Sequence, residues 1–338
     1  MLHFWLPGLL IIAGLLVLLA STGLIGAACY FLHIFSRPHH PLNETFEWGL
    51  PTTTPEPPLS QQRTFFLKTK DGLRLCADFW TQEQAAPTVI LCHGYRISRQ
   101  HLRPVAALHY ARGYNILLFD FRGHGESDAA AISVGNAEVR DVEAAIAFVS
   151  RQKETLAGQI ILHGFSMGAH VALLTPPSAN VAAIIADSPF ARSDEVIQPL
   201  ICTEIMQLLQ KCPQWLHPLC HCIPKFASAI LATSRVLFRL CFRVPLIARA
   251  DLNLQRQPYT TPLLLIHTLG DALIPITHSQ TLAHIARENG IAIETCFMHG
   301  NAHCGAYACD PQRYDQVTYR FLARYLGKHL PSQHRENA

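Results

Sequence analysis

The sequence predicts an alternating α/β chain built on a mostly parallel sheet, and three observations carry that reading. Apolar runs of strand length alternate with segments of helical periodicity, and the runs end in turn-forming residues. One run, Gln159 to His163, breaks at Gly164-Phe165-Ser166-Met167-Gly168 directly into a helical pattern from Met167 to Leu174. Such alternation requires crossover connections, and crossovers imply parallel neighbours.

The elements follow in order. Thr64 to Thr69 and Leu73 to Trp80 read as a hairpin turned by Lys70-Asp71-Gly72. Next come a strand over Thr88 to Cys92, a helix over Gln100 to Ala111 and a strand over Tyr114 to Phe119. In the helix predicted from Ala137 to Lys153, Val139, Val142, Ala145, Ile146 and Val149 recur at helical spacing, and Asn136 is placed to cap its start. Strands over Gln159 to His163 and Ala182 to Ala186 precede two later ones, Pro262 to His267 and Ile291 to Met298. Thr175-Pro176-Pro177 cuts short the helix that opens at Met167.

A serine between glycines on a strand-turn-helix corner is the context of a nucleophile elbow. A hydroxyl is a weak nucleophile, so it needs a base within hydrogen-bond reach and an acid that holds the base in one tautomer. Chain order supplies the candidates. Asp271 follows the strand Pro262 to His267, and His303 lies in the turn-rich loop after the strand ending at Met298. Asp187 is a rival acid one strand earlier, and His299 a rival base four residues before His303. An oxyanion would take its hydrogen bonds from the amides of Met167 and Tyr95, the latter just past the His93-Gly94 break.

Gly164-x-Ser166-x-Gly168, His93-Gly94, the run Asp120 to Ser127, Gly270-Asp271-x-x-Ile274-Pro275 and the late His303 together resemble the α/β-hydrolase superfamily, in particular its membrane-anchored serine hydrolases of the esterase, lipase and S9-like peptidase types. The likeness covers about Thr64 to Leu326. It implies an eight-stranded, mostly parallel sheet with helices on both faces and a Ser166-His303-Asp271 triad at the strand C-terminal edge. It also implies that the Asp120 to Ser127 run is a structural loop, so that Asp120 and His124 take no catalytic role. Cys304, directly after the base candidate, departs from the usual pattern.

From Leu2 to Ser36 there is no Asp, Glu, Lys or Arg, a length sufficient to cross a bilayer. With only His3 before the apolar run, a retained anchor over 4–35 is favoured over a cleaved signal or lipid attachment at Cys29. A Pro-rich spacer follows over 36–62, then a catalytic domain over 63–329 and a tail over 330–338. Arg37 beside the anchor and an odd cysteine count of 11 favour a cytoplasmic domain.

Residues 190–261 read as a helical cap insertion carrying eight Lys or Arg against four acids. Within it Arg235, Arg239 and Arg243 recur every fourth residue, along one face of a helix. The face is either a solvated side of a packed cap helix or an interfacial one. Cys202, Cys212, Cys220 and Cys222 have no structural zinc spacing and read as buried apolar cysteines, so neither metal nor organic cofactor is implied. A net charge of +3 is too small to point to nucleic acid.

These expectations converge on a membrane-tethered serine hydrolase of lipid-like or acyl esters and thioesters, acting on a small molecule. A peptidase or amidase of the same fold and a noncatalytic membrane scaffold are the alternatives.

Overall fold

The apolar runs become strands of one sheet in a computed structural model of the chain, which describes residues 2–36, 55–256 and 260–326. Most of the Pro-rich spacer and the whole 330–338 tail lie outside the described residues. Two compact units result, Arg37–Ser193 with Ile247–Ala338, and Met1–Ser36 with Asp194–Leu246.

The first, the sheet unit, holds β1 (Gln62–Lys68), β2 (Arg74–Trp80), β3 (Ala86–Cys92), β4 (Asn115–Phe119), β5 (Thr155–Phe165), β6 (Val181–Asp187), β7 (Leu263–Thr268) and β8 (Ile293–Met298). Their order across the sheet is β1-β2-β4-β3-β5-β6-β7-β8. β1 with β2 and β2 with β4 are antiparallel, and the remaining pairs are parallel. The hairpin turns as its sequence requires: Gly72 takes φ +91° and donates to Thr69 O. β3, β4 and β7 are buried along their whole length, which is why they read as continuous rather than alternating apolar runs.

Helices α2 (Arg103–Ala111), α3 (Val139–Val149) and α4 (Met167–Leu174) fall within the predicted spans. Asn136 does not cap α3. Its side-chain amide donates to Ile247 O, and the turn before the helix is held instead by the buried Glu138 carboxylate, which accepts from Ser133 N, Ser133 Oγ and Gly135 N. Two arginines brace the loops above the strands. Arg99 reaches Asp78 at 3.0 Å and also Asp120, while Arg122 reaches Asp141 at 2.7 Å and Asp71 at 2.9 Å.

The second, helical unit combines α1 (Leu2–Phe35) with α5 (Asp194–Gln210), a 3-10 turn over Gln214–Cys222 and α6 (Ile223–Phe242). α5 and α6 are tied by Gln198 Nε2 donating to Ser228 Oγ at 2.9 Å, and α1 packs along α6. The unit is shorter than the insertion read from sequence. Residues 190–193 and 247–256, including α7 (Ala250–Arg256), belong to the sheet unit, where Arg192 and Arg249 form an antiparallel bridge.

The cysteine expectation fails in this unit: Cys212 and Cys222 are exposed, and Cys202 and Cys220 are half-buried. So small a helical assembly has little interior, and the 3-10 turn buries no residue. Arg243 also sits one residue past α6, in the left-handed conformation that ends it, with φ +57°.

Candidate active site

Ser166 occupies a backbone conformation that few non-glycine residues adopt, φ +52° and ψ −115°, at the junction of β5 and α4. The corner is enforced from both sides. A Cβ at Gly164 would lie 2.4 Å from Gly168 C, and one at Gly168 would lie 2.0 Å from Cys92 O at the end of β3. The neighbouring strand and the turn therefore approach more closely than any side chain permits. Ser166 N donates to Asp187 O at 2.9 Å and His170 N to Ser166 O at 3.0 Å, so β6 and the first turn of α4 fix the serine in place.

Two later strand ends converge on this corner. His303 Nε2 is 2.7 Å from Ser166 Oγ, and His303 Nδ1 is 2.7 Å from Asp271 Oδ2. Asp271 Oδ1 accepts the Leu273 and Ile274 amides at 3.0 and 2.9 Å. Burial alone would raise the Asp271 carboxyl. The hydrogen bonds from His267 and His303, the His303 charge and the Ile274 amide outweigh it and hold the group well below the usual carboxylate range. An ionised Asp271 leaves His303 with its proton on Nδ1 and Nε2 free to accept from the serine hydroxyl.

The loop after β3 comes down beside the serine: a Cβ at Gly94 would stand 3.5 Å from Ser166 Cβ. His93, fully buried, pins that loop by donating from Nδ1 to Gly94 O at 2.7 Å and accepting Phe121 N–H at Nε2, 2.9 Å away. Burial pushes His93 down to about 3, so it remains a neutral brace. Asp120 accepts the Arg99 and Glu126 amides at 2.7 and 3.0 Å, and His124 Nε2 accepts the Arg96 amide at 3.2 Å. The 120–127 run thus supports the loop that carries Tyr95.

The rival acid lies elsewhere in the same network. Asp187 accepts Ser188 Oγ–H at 3.0 Å and Tyr314 OH at 3.1 Å, and Ser188 Oγ in turn accepts the Cys304 amide at 3.2 Å. His163 Nε2 is 2.9 Å from Tyr314 OH, and His109 Nε2 is 3.0 Å from His163 Nδ1. Since the tyrosine donates to Asp187 it accepts from His163. Every donor in the chain from His109 inward therefore points toward the buried carboxylate. Burial raises Asp187 to about 6, although Ser188, Tyr314 and the charges of His267 and His303 oppose the rise. Through Ser188 the group anchors the residue next to His303, whereas the other rival, His299, is exposed at the start of the loop.

Ser188, Tyr314, His163 and His267 escape a reading of local patterns. The one available signal is a histidine inside a buried apolar strand, His163 in β5 and His267 in β7, since such a ring needs partners. Cys304 Sγ lies 3.6 Å from His303 Nε2, and burial holds its thiol well above its usual range, which keeps it un-ionised.

The profile of the family described as serine aminopeptidase, S33, matches residues 83–304. An uncharacterized protein of Mycobacterium tuberculosis, MT2364, is 30% identical over 165 residues, 45% of this chain and 58% of its own. The uncharacterized protein YqkD of Bacillus subtilis is 29% identical over 199 residues, 58% of each. The chain thus spans little more than half the length of these curated relatives. Among solved structures, an esterase of Pyrococcus furiosus, Pf2001, superposes with a TM-score of 0.60 at 23% identity, over 82% of this chain and 92% of its own, a likeness of fold.

Proposed function

The chain belongs to the serine aminopeptidase S33 family of α/β-hydrolases, and from that premise we propose that it cleaves carboxylic esters or thioesters of lipid-like acids through an acyl-enzyme, held at a membrane by α1. The observation that carries the chemistry is the series Asp271, His303, Ser166, each bond 2.7 Å long. Ser166 Oγ attacks the ester carbonyl carbon as His303 Nε2 takes its proton, and Asp271 stabilises the imidazolium. The amides of Met167 and Tyr95 hold the oxyanion. His303 gives the proton to the departing alcohol or thiol. Water then adds to the acyl group by the same route, and the acid and free Ser166 result.

Lipid-like substrates are favoured over sugars or nucleotides by the apolar helical unit and the span of Ile12–Phe35, whose mean hydropathy is 2.2. The family's description favours a second reading, hydrolysis of an aminoacyl amide, which needs a carboxylate to grip a free amine. Labelling of the full chain in detergent by a fluorophosphonate, with Ser166→Ala and His303→Ala as controls, tests the nucleophile. Turnover of p-nitrophenyl esters from acetate to palmitate against aminoacyl p-nitroanilides separates the two substrate classes. A folded wild type that takes no label overturns the hydrolytic mechanism and favours a scaffold.

A further inference from the structure

α1 is longer than a bilayer needs. Its 34 residues rise about 51 Å at about 1.5 Å each, against a hydrocarbon core of about 30 Å. The helix divides accordingly. Leu10 and every residue from Ile12 to Gly23 are exposed, and Ser21 and Thr22 turn their hydroxyls back onto Val17 O and Leu18 O at 2.8 Å, which satisfies them without water. In the last third, Ala28, Leu32 and Phe35 are buried at helical spacing, in the stretch available to pack along α6. A cleaved leader has no need of such a seam.

α6 has three faces. At about 100° per residue, its buried residues Ile223, Ala227, Ile230, Leu231, Ser234 and Phe238 fill one arc of roughly a quarter turn. Phe226, Val236 and Leu240, 57%, 59% and 71% exposed, fill the next. Lys225, Arg235 and Arg239 take the third, with Arg243 just past the helix end, and none of the four has an ion-pair partner among the described residues. A solvated helix has no use for the second arc. Trp215, in the 3-10 turn just before α6, is 77% exposed as well. An apolar arc flanked by cations is what a helix at the headgroup boundary of an anionic bilayer requires.

We infer that α6 and the preceding turn lie in the interface of the bilayer that α1 crosses, with Phe226, Val236 and Leu240 in the acyl boundary and Lys225, Arg235, Arg239 and Arg243 at the level of anionic headgroups. The inference rests on the proposed anchoring by α1, and it makes the segment 194–246 part of the membrane attachment. It is independent of what the serine hydrolyses.

The test uses the full chain in nanodiscs of phosphatidylcholine, alone or with phosphatidylglycerol at about 3:1, with acyl chains brominated near the headgroup or not. The probe is the added emission of Leu240→Trp over wild type, and the emission lost in Trp215→Phe. Bromolipid is expected to remove about half or more of both signals in anionic discs. Arg235→Gln, Arg239→Gln and Arg243→Gln together should restore most of the Leu240→Trp signal at about 0.15 M salt. A chain that stays on the disc while both indoles are indifferent to bromine overturns the inference and leaves the anchor standing. A chain that leaves the disc at high salt overturns the anchor and the inference with it. Quenching indifferent to phosphatidylglycerol and to the three Gln substitutions overturns the headgroup contact.

Discussion

In the sheet unit Arg99 and Arg122 are 4% exposed and each lies between carboxylates. In the helical unit Arg235 and Arg239 are exposed and without ion-pair partners among the described residues, beside a Phe226 and a Leu240 that are exposed too. The same residue type is thus used in opposite ways. A buried guanidinium is tolerable only when its donors are matched, and matching fixes the loops around it. An exposed one fixes nothing within the chain, and its contribution depends on what lies outside. The sheet unit is specified by its own contacts, whereas the helical unit leaves these cations and apolar side chains on its surface.

The sharpest way to break that contrast is at the serine. Ser166→Ala should lower turnover by about a millionfold and Asp271→Asn by about ten-thousandfold, by analogy with other triads. Thermal melts should show little loss in Ser166→Ala, because Ser166 Oγ bonds His303 Nε2 and spans no strands of the sheet. Gly168→Ala should do the reverse: its Cβ would lie 2.0 Å from Cys92 O, so soluble expression of folded protein should fall before any activity is read.

A pair of arginine variants compares the units directly. Arg122→Ala leaves Asp141 buried without its partner and should cost about 3–5 kcal/mol in denaturant unfolding, whereas Arg239→Ala should stay within about 0.5 kcal/mol. Equal losses would mean that the helical unit is held together by charge as the sheet unit is.

Acid should find the sheet unit first. Burial depresses His93 and His170 to about 3 and His109 to about 4. The unfolded chain, with histidines near 6.5, therefore binds more protons between those values. Stability from these groups is complete above about pH 6.5 and is lost as pH falls toward 4. Asp187, raised to about 6, and Asp141, raised to about 7, work the other way over part of that window, two groups against these three and His163, which burial also pushes well down. The melting temperature should drop on acidification from pH 7 to 4.5. Asp187→Asn, the smallest effect expected, should steepen the fall slightly and leave the plateau near pH 7 in place.

Much of the sheet was legible because its signals are local. Gly164 and Gly168 announce a tight corner, Lys70-Asp71-Gly72 a hairpin, and β3 and β7 their burial. The positions of Ser166, Asp271 and His303 followed from chain order, and the structure brings these three side chains into one hydrogen-bonded series. Local pattern was blind to pairing across the fold. It offered Asn136 as a cap, where Glu138 folds back on Ser133. It placed the cysteines of 202–222 inside, where too few residues gather to make an interior. It treated α1 as separate from the insertion, whose α6 it packs along, because no short-range signal states which helix a charge-free helix will meet.

The antiparallel bridge at Arg192 and Arg249 has a bearing on descent and engineering. Ser193 N donates to Ala248 O, Ala248 N to Ser193 Oγ and Ala250 N to Ala191 O, so the chain leaves the sheet unit and re-enters it at one stapled point. Lengthening a loop whose ends already meet adds little closure entropy. Residues 194–246 therefore occupy a socket: a short turn or another protein's insertion fits the same two ends. Exchange at this point would let a lineage, or an experimenter, replace the helical segment without redesigning the sheet unit.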